Sequence, residues 1–160
     1  MRKKGGRAFR VKMKQVILYT DGACSGNPGA GGYGAILIFK GIEREISGGE
    51  LSTTNNRMEI YAVIAGLEKL KESCDVTVYS DSAYTVNAFN EGWIYGWMKN
   101  GWKKSDGKAV QNAELWKRLY SLTQEHRVRF VKVKGHADNE YNNRCDALAR
   151  EAIKRLKVNH

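Results

Sequence analysis

Hydrophobic positions along this chain fall into two rhythms, short β-rich runs and helical stripes. Gln15–Ala23 reads as a strand whose apolar run, Val16-Ile-Leu-Tyr-Thr, ends at Asp21. A Gly/Pro/Asn turn leads to a second strand over Gly31–Phe39, and Ile42–Leu51 alternates weakly as a third, so the three predict an antiparallel meander. Thr53–Asn56 open a helix in which Met58, Tyr61, Ile64, Ala65 and Leu67 form an apolar face. Val76–Ser80 is a fourth strand, with Ser82 placed to cap the helix that follows. Helical spacing returns over Asn112–Gln124, with Leu115, Trp116, Leu119 and Leu122 inward, before a fifth strand at Val128–Val133. The last helix carries Cys145, Leu148, Ala149, Ala152, Ile153 and Leu156 at i, i+3, i+4, i+7, i+8 and i+11. Hairpins followed by alternating helix and strand predict an α/β fold, a mixed five-stranded sheet flanked by helices.

Two of these strands end alike. Tyr19-Thr-Asp21-Gly-Ala is answered by Tyr79-Ser-Asp81-Ser-Ala. If the strands are neighbours, ~4.8 Å apart, the two aspartates on one face almost touch. Like charges that close raise a pKa unless a cation sits between them. Glu59 on the first helix and Asp146 in the first turn of the last stand at element ends too. Each has a structural explanation: Asn56 and Glu59 fit a capping-box-like start, and an acid at Asp146 favours the helix dipole. For Glu59, spacing by itself favours that explanation. Four carboxylates converging with no close basic partner, however, need divalent cations, and all-oxygen ligation favours Mg²⁺ or Mn²⁺ over zinc. The glycines after Asp21 match neither G-x-x-x-x-G-K-[ST] nor G-x-G-x-x-G, and turn geometry explains most of them.

Between the fourth and fifth strands lies the segment GWIYGWMKNGWKKSDGK. Trp93 and Trp97 share a helix face and are followed by Trp102, with Lys99, Lys103, Lys104 and Lys108 interleaved. Tryptophans at helical spacing are usually core. Mixed with lysine and glycine they suit better a partly exposed platform that stacks on sugars while the lysines meet phosphates.

The net charge of +10 over 160 residues is concentrated at one end. Arg2, Lys3, Lys4, Arg7, Arg10, Lys12 and Lys14 hold seven charges, leaving +3 for the body. Residues 1–13 read as a flexible basic arm, either a solvated tail or an accessory nucleic-acid contact, ahead of one domain over 14–160. The arm lacks the apolar core of a secretory leader, and no apolar run approaches the ~20 residues of a membrane span. Cys24, Cys74 and Cys145 are scattered without C-x-x-C spacing, as expected of free thiols in a reducing cytoplasm.

Five motifs occur in one order: YTDGACSGNPGAGGYGAIL around Asp21, TTNNRMEI around Glu59, YSDSAY around Asp81, VKGHA around His136 and NNRCDALA around Asp146. Together they resemble type 1 ribonuclease H over Lys14–Lys157. The resemblance implies a ribonuclease H-like fold with strand order 3-2-1-4-5. It also implies endonucleolytic hydrolysis of the RNA strand of RNA–DNA hybrids, leaving 5′-phosphate and 3′-hydroxyl ends. Catalytic residues would be Asp21, Glu59, Asp81, His136 and Asp146. The four acids would hold two Mg²⁺ ions with Asp21 between them, Mn²⁺ substituting, while His136 assists proton transfer or product departure. Cys24, Asn27, Asn55 and Asn56 would lie along the minor groove, where 2′-hydroxyls distinguish RNA from DNA. Thr54 and Asn112 would clasp a DNA-strand phosphate, and Trp93, Trp97, Lys99, Lys103 and Lys104 would grip the DNA strand without sequence preference. The partner would be the hybrid duplex, with no membrane and a monomeric protein.

The chain departs from the pattern at Asp138, where many relatives have glycine, and at Asn143, where some have a glutamate near the metals. Basic charge and tryptophans would equally serve a hybrid-binding module that does not cut. Retention of all four acids opposes that alternative, since a pure binder gains nothing from carboxylates facing phosphates. An integrase-like strand-transfer enzyme of the same fold is disfavoured by the tryptophan–lysine segment and the His136 loop.

Overall fold

The computed structural model of the chain describes residues 13–134 and 139–159. Within them the elements run β1 (Lys14–Cys24), β2 (Gly29–Phe39), β3 (Ile42–Thr53), α1 (Asn55–Glu68), β4 (Cys74–Ser80), α2 (Ala83–Asn90), α3 (Trp93–Lys99), α4 (Ala113–Glu125), β5 (Arg127–Lys132) and α5 (Glu140–Asn159). They build one five-stranded sheet in the order β3-β2-β1-β4-β5, as the sequence led us to expect. β1–β2 and β2–β3 pair antiparallel, and β1–β4 and β4–β5 pair parallel. β1 to β4 run one or two residues beyond the sequence-derived limits where pairing continues past the apolar run, as at Gly29 opposite Thr53, while β5 is displaced one residue toward the N-terminus.

One face of the sheet is covered by α1 with α4 behind it, and the main core lies there. Val16 and Leu18 of β1, Val76 and Val78 of β4, Ile60, Ile64 and Leu67 of α1, and Trp116 and Leu119 of α4 are all buried in it. The predicted apolar stripe of α1 understates the burial. Ile60, Ala62 and Val63 are as inaccessible as Met58 and Ile64, because α1 is sandwiched between the sheet and α4 rather than lying at the surface. The opposite face carries α5, whose Cys145, Ala149 and Ala152 are buried against β1, β2 and β3.

Two helix starts bear on the site. Ser82 caps α2 as expected, its Oγ accepting from the Thr85 N–H at 3.1 Å. At α1 the expected Asn56–Glu59 capping box is not formed. Thr54 is the cap, accepting from the Arg57 N–H at 3.2 Å, so the helix begins two residues earlier than that box requires and Glu59 is left with no capping role. Asn112 likewise stands before α4 rather than in it, in a left-handed conformation, its carbonyl accepting from Leu115 and Trp116.

Glycines of the Asp21 motif serve packing more than turning, which corrects the sequence expectation. None of the described glycines with positive φ (Gly41, Gly92, Gly101, Gly107) lies in that motif. A Cβ on Gly22 would come within 2.6 Å of the Glu59 backbone nitrogen, and one on Gly34 within 2.3 Å of the Cys145 carbonyl oxygen. Absence of side chains there lets α1 reach β1, and α5 reach β2, at backbone contact.

Candidate metal centre and nucleic-acid face

Register decides where the first two acids fall. β1 and β4 are parallel with Tyr19 opposite Tyr79, so Asp21 and Asp81 each follow two residues beyond a matched pair. Gly22 admits α1 against β1 at Glu59, whose side chain thereby arrives beside Asp21. Ligand atoms of Asp21, Glu59 and Asp81 all lie within 4.8 Å of one another. Asp21 is 6% exposed and Glu59 4%.

The electrostatics are adverse. Burial, then the nearby Asp81 charge, pushes the Asp21 carboxyl up to about 7. Burial also carries Glu59 well above the ordinary carboxylate range, with Asp21 and Asp81 adding to the rise. Relief is small: the Gly22 N–H donates to Asp21 Oδ1 at 2.9 Å, while Glu59 Oε1 is buried with no hydrogen-bond partner. No ion pair of Asp21, Glu59 or Asp81 occurs among the described residues. Three hard oxygen donors, one of them orphaned, fit a divalent cation of the magnesium or manganese type, which would reverse the sign of the local field.

Asp146 stands apart from this trio. It is near enough for its charge to act on Asp21, but its Oδ2 pairs with Arg150 Nε at 3.0 Å, an i, i+4 contact on α5. The expectation of four acids without a basic partner therefore holds for three. Arg150 was the missed residue, and its four-residue spacing from Asp146 was the available signal. His136 and Asp138 lie outside the described residues, as does the basic arm through Lys12. Asn143 is exposed on α5.

Between the end of β1 and the start of α1, an open cleft of about 680 Å³ is lined by Cys24, Ser25, Gly26, Asn27, Thr54, Asn55, Asn56 and Gln111. Five of the residues that sequence suggested as substrate contacts thus converge. Asn27 joins the two sides, its Oδ1 accepting from the Asn55 N–H at 3.0 Å. Gln111, adjacent to the expected Asn112, and Ser25, adjacent to Cys24, were the residues sequence reasoning passed over. Arg57 fixes the far wall by pairing with Glu50 at 2.9 Å and with Glu114 of α4.

The tryptophan–lysine segment forms a separate face. Trp93 is 41% exposed, Trp97 and Trp102 are half-buried against the core, and Trp97 stands 5.5 Å from Trp116. A second groove runs between Trp93, Gly96, Trp97, Asn100, Lys103, Lys104 and Ser105. Lys99, Lys103, Lys104 and Lys108 are exposed.

Sheet order, the placement of α1 and α5, and acids at the carboxyl ends of adjacent parallel strands define the ribonuclease H-like class of α/β proteins. LC9-RNase H1, described as a type 1 RNase H with the type 2 active-site motif, superposes with a TM-score of 0.80 and 29% identity, over 89% of this chain and 74% of that one. LC11-RNase H1, solved in complex with an RNA/DNA hybrid, superposes with a TM-score of 0.67 and 28% identity, over 88% and 98%. The ribonuclease H of Caldanaerobacter subterraneus subsp. tengcongensis is 61% identical over 140 residues, 88% of this chain and 92% of its own. The RNase H family model matches residues 13–154, and the chain belongs to that family, as an enzyme of the type 1 branch.

Proposed function

We propose that this chain is an endonuclease that hydrolyses the RNA strand of RNA–DNA hybrids, leaving 5′-phosphate and 3′-hydroxyl ends. The observation that carries the reading is the Asp21–Glu59–Asp81 cluster, with Asp21 and Glu59 buried and one Glu59 oxygen partnerless. Support for the substrate comes from LC11-RNase H1, a structural relative bound to such a hybrid.

Asp21, Glu59, Asp81 and Asp146 would hold two Mg²⁺ ions, with Mn²⁺ an adequate substitute. When bound, such ions supply Lewis acidity at the phosphodiester, a water of lowered pKa and charge stabilisation on the departing 3′-oxygen. The chain's residues do the rest. Asp21, central in the cluster, sets the spacing of the other donors. Cys24, Asn27, Asn55 and Asn56 meet the minor groove, where 2′-hydroxyls identify the RNA strand. Thr54 and Asn112 take a DNA-strand phosphate, while Trp93 and Trp97 stack on that strand and Lys99, Lys103 and Lys104 neutralise it. His136 moves the proton that the leaving group needs. Residues 14–160 act as the catalytic domain and residues 1–13 as an accessory arm. All proposed donors come from one chain and the three cysteines are free thiols, in keeping with a monomer at work in a reducing cytoplasm.

One assay tests the reading. The same labelled RNA is offered single-stranded, paired with RNA and paired with DNA, with and without Mg²⁺. Cleavage is expected only of the DNA-paired form and only with metal. Tight hybrid binding without cleavage would instead favour a non-cutting module.

A further inference from the structure

Three tyrosine rings are stacked one step back from the acids. The Tyr79 and Tyr19 centroids are 4.9 Å apart with 17° between the planes, and those of Tyr19 and Tyr141 are 4.9 Å apart with 18°. Tyr79 precedes Asp81 by two residues, Tyr19 precedes Asp21 by two, and Tyr141 lies in α5 five residues before Asp146. The ring row Tyr79–Tyr19–Tyr141 thus lies alongside the acid row Asp81–Asp21–Asp146. Its first step matches the ~4.8 Å between adjacent strands, and the second extends that spacing to the helix.

The helical end of the row is clasped from the far edge of the sheet. Tyr141 Oη donates to Glu43 Oε2. Arg144 bridges Glu43 and Glu45 of β3 at 2.9 Å each, and its guanidinium sits 5.4 Å from the Tyr141 ring centre. These contacts hold the first two turns of α5, which begins earlier than its sequence pattern implied, so that Asp146 is presented from the second turn and not the first. The core trio needs no such aid, being fixed by β1, β4 and α1. Asp146 does, because it stands outside the trio and is held by exposed Arg150.

We infer that the Tyr79–Tyr19–Tyr141 stack and its Glu43–Arg144–Glu45 clasp are a positioning device that sets how closely α5 presents Asp146 to cations held by Asp21, Glu59 and Asp81. The inference rests on the dication reading of the cluster. Outer groups that orient metal-binding side chains typically change metal affinity by about 10- to 100-fold when removed. Tyrosine suits all three positions: the flat ring keeps the spacing, and at Tyr141 the hydroxyl adds the anchor to Glu43.

The test is Mn²⁺ binding by titration calorimetry on the full chain without nucleic acid, each variant checked for folding by circular dichroism. Tyr141→Leu is expected to weaken Mn²⁺ binding about tenfold, and Tyr141→Phe, which keeps the ring, less than about threefold. Asp146→Asn is expected to weaken it as much as Tyr141→Leu, and the double variant no further. Mn²⁺ affinity in Tyr141→Leu within about twofold of the unaltered chain, or equal losses with and without Asp146, would overturn the inference, since a stack serving only stability would behave so. Should Tyr141→Leu fail to fold, Glu43→Ala is read by the same criteria. An unaltered chain that binds no Mn²⁺ contradicts the dication reading itself; normal binding that ignores Tyr141 contradicts the stack alone.

Discussion

The acid cluster and the tryptophan–lysine segment are built in opposite ways. Asp21 and Glu59 are built into the fold, at 6% and 4% exposure, on elements that pack against each other at backbone contact. Trp93 stands at the surface on a helix of seven residues, and Lys103 and Lys104 follow it in an exposed turn. One region keeps like charges together at a cost in stability, so that its geometry is ready before any ligand arrives. The other is cationic and solvated, and costs the fold little. Chemistry needs the first kind of site, because donors must be placed to within fractions of an ångström. Grip on a backbone of uniform charge needs only the second.

The sharpest way to break this comparison is Asp21→Asn. On the proposed mechanism several kcal/mol of transition-state stabilisation would depend on the cations, so cleavage is expected to fall by about 10³-fold or more, while hybrid affinity stays within about threefold. A gel-based cleavage assay beside a filter-binding curve measures both, and retained cutting would remove Asp21 from the centre of the site.

Stability supplies the next largest effect. An acid whose pKa rises on folding binds more protons folded than unfolded, so it subtracts stability as pH climbs from its unfolded value to its folded one. For Asp21 that window runs from about 4 to about 7. In chelator, Asp21→Asn is therefore expected to be more stable than the unaltered chain by a margin that is small at pH 4 and grows to at most about 4 kcal/mol by pH 7. With Mn²⁺ the order should reverse. Urea melts at several pH values read this directly, and a margin independent of pH would mean that the cluster is not strained.

A smaller effect is expected on the exposed face. Replacing Trp93 and Trp97 by Ala should raise KM about 10-fold or more, through lost stacking on the sugars of the DNA strand, and change kcat far less. An unchanged KM would make the two rings mere packing against Trp116. Smallest is deletion of residues 2–12, which removes six cations and should weaken hybrid binding at low salt but not at high salt. Equal affinity at both would leave the arm without a nucleic-acid role.

The architecture was largely legible because its periods are clean. Apolar runs marked β1 and β4, weak alternation marked β3, and the twin endings at Asp21 and Asp81 pointed to the neighbouring pair that β1 and β4 form. The order of the whole sheet came from resemblance, since no local period encodes which edge a strand joins. Glu59 shows where spacing fails: Asn56 and Glu59 fit a capping box, yet Thr54 caps the helix and Glu59 is drawn inward. Helix starts can slip by two residues, whereas burial depends on a distant glycine, Gly22, that no helical pattern contains. Gly34 was placed in a strand correctly, but its contact with the α5 backbone, which needs the missing side chain, was not legible. The Arg150 partner of Asp146 was readable from its spacing, while the tyrosine row, joining residues 60 and 122 apart along the chain, was not.

A crystal of the full chain grown with Mn²⁺, mapped by anomalous scattering, tests the central claim most directly. Manganese peaks are expected among Asp21, Glu59 and Asp81, with the Glu59 oxygen that now lacks a partner turned to a cation. An empty cluster, with Glu59 and Asp21 instead sharing a proton at saturating Mn²⁺, would contradict it.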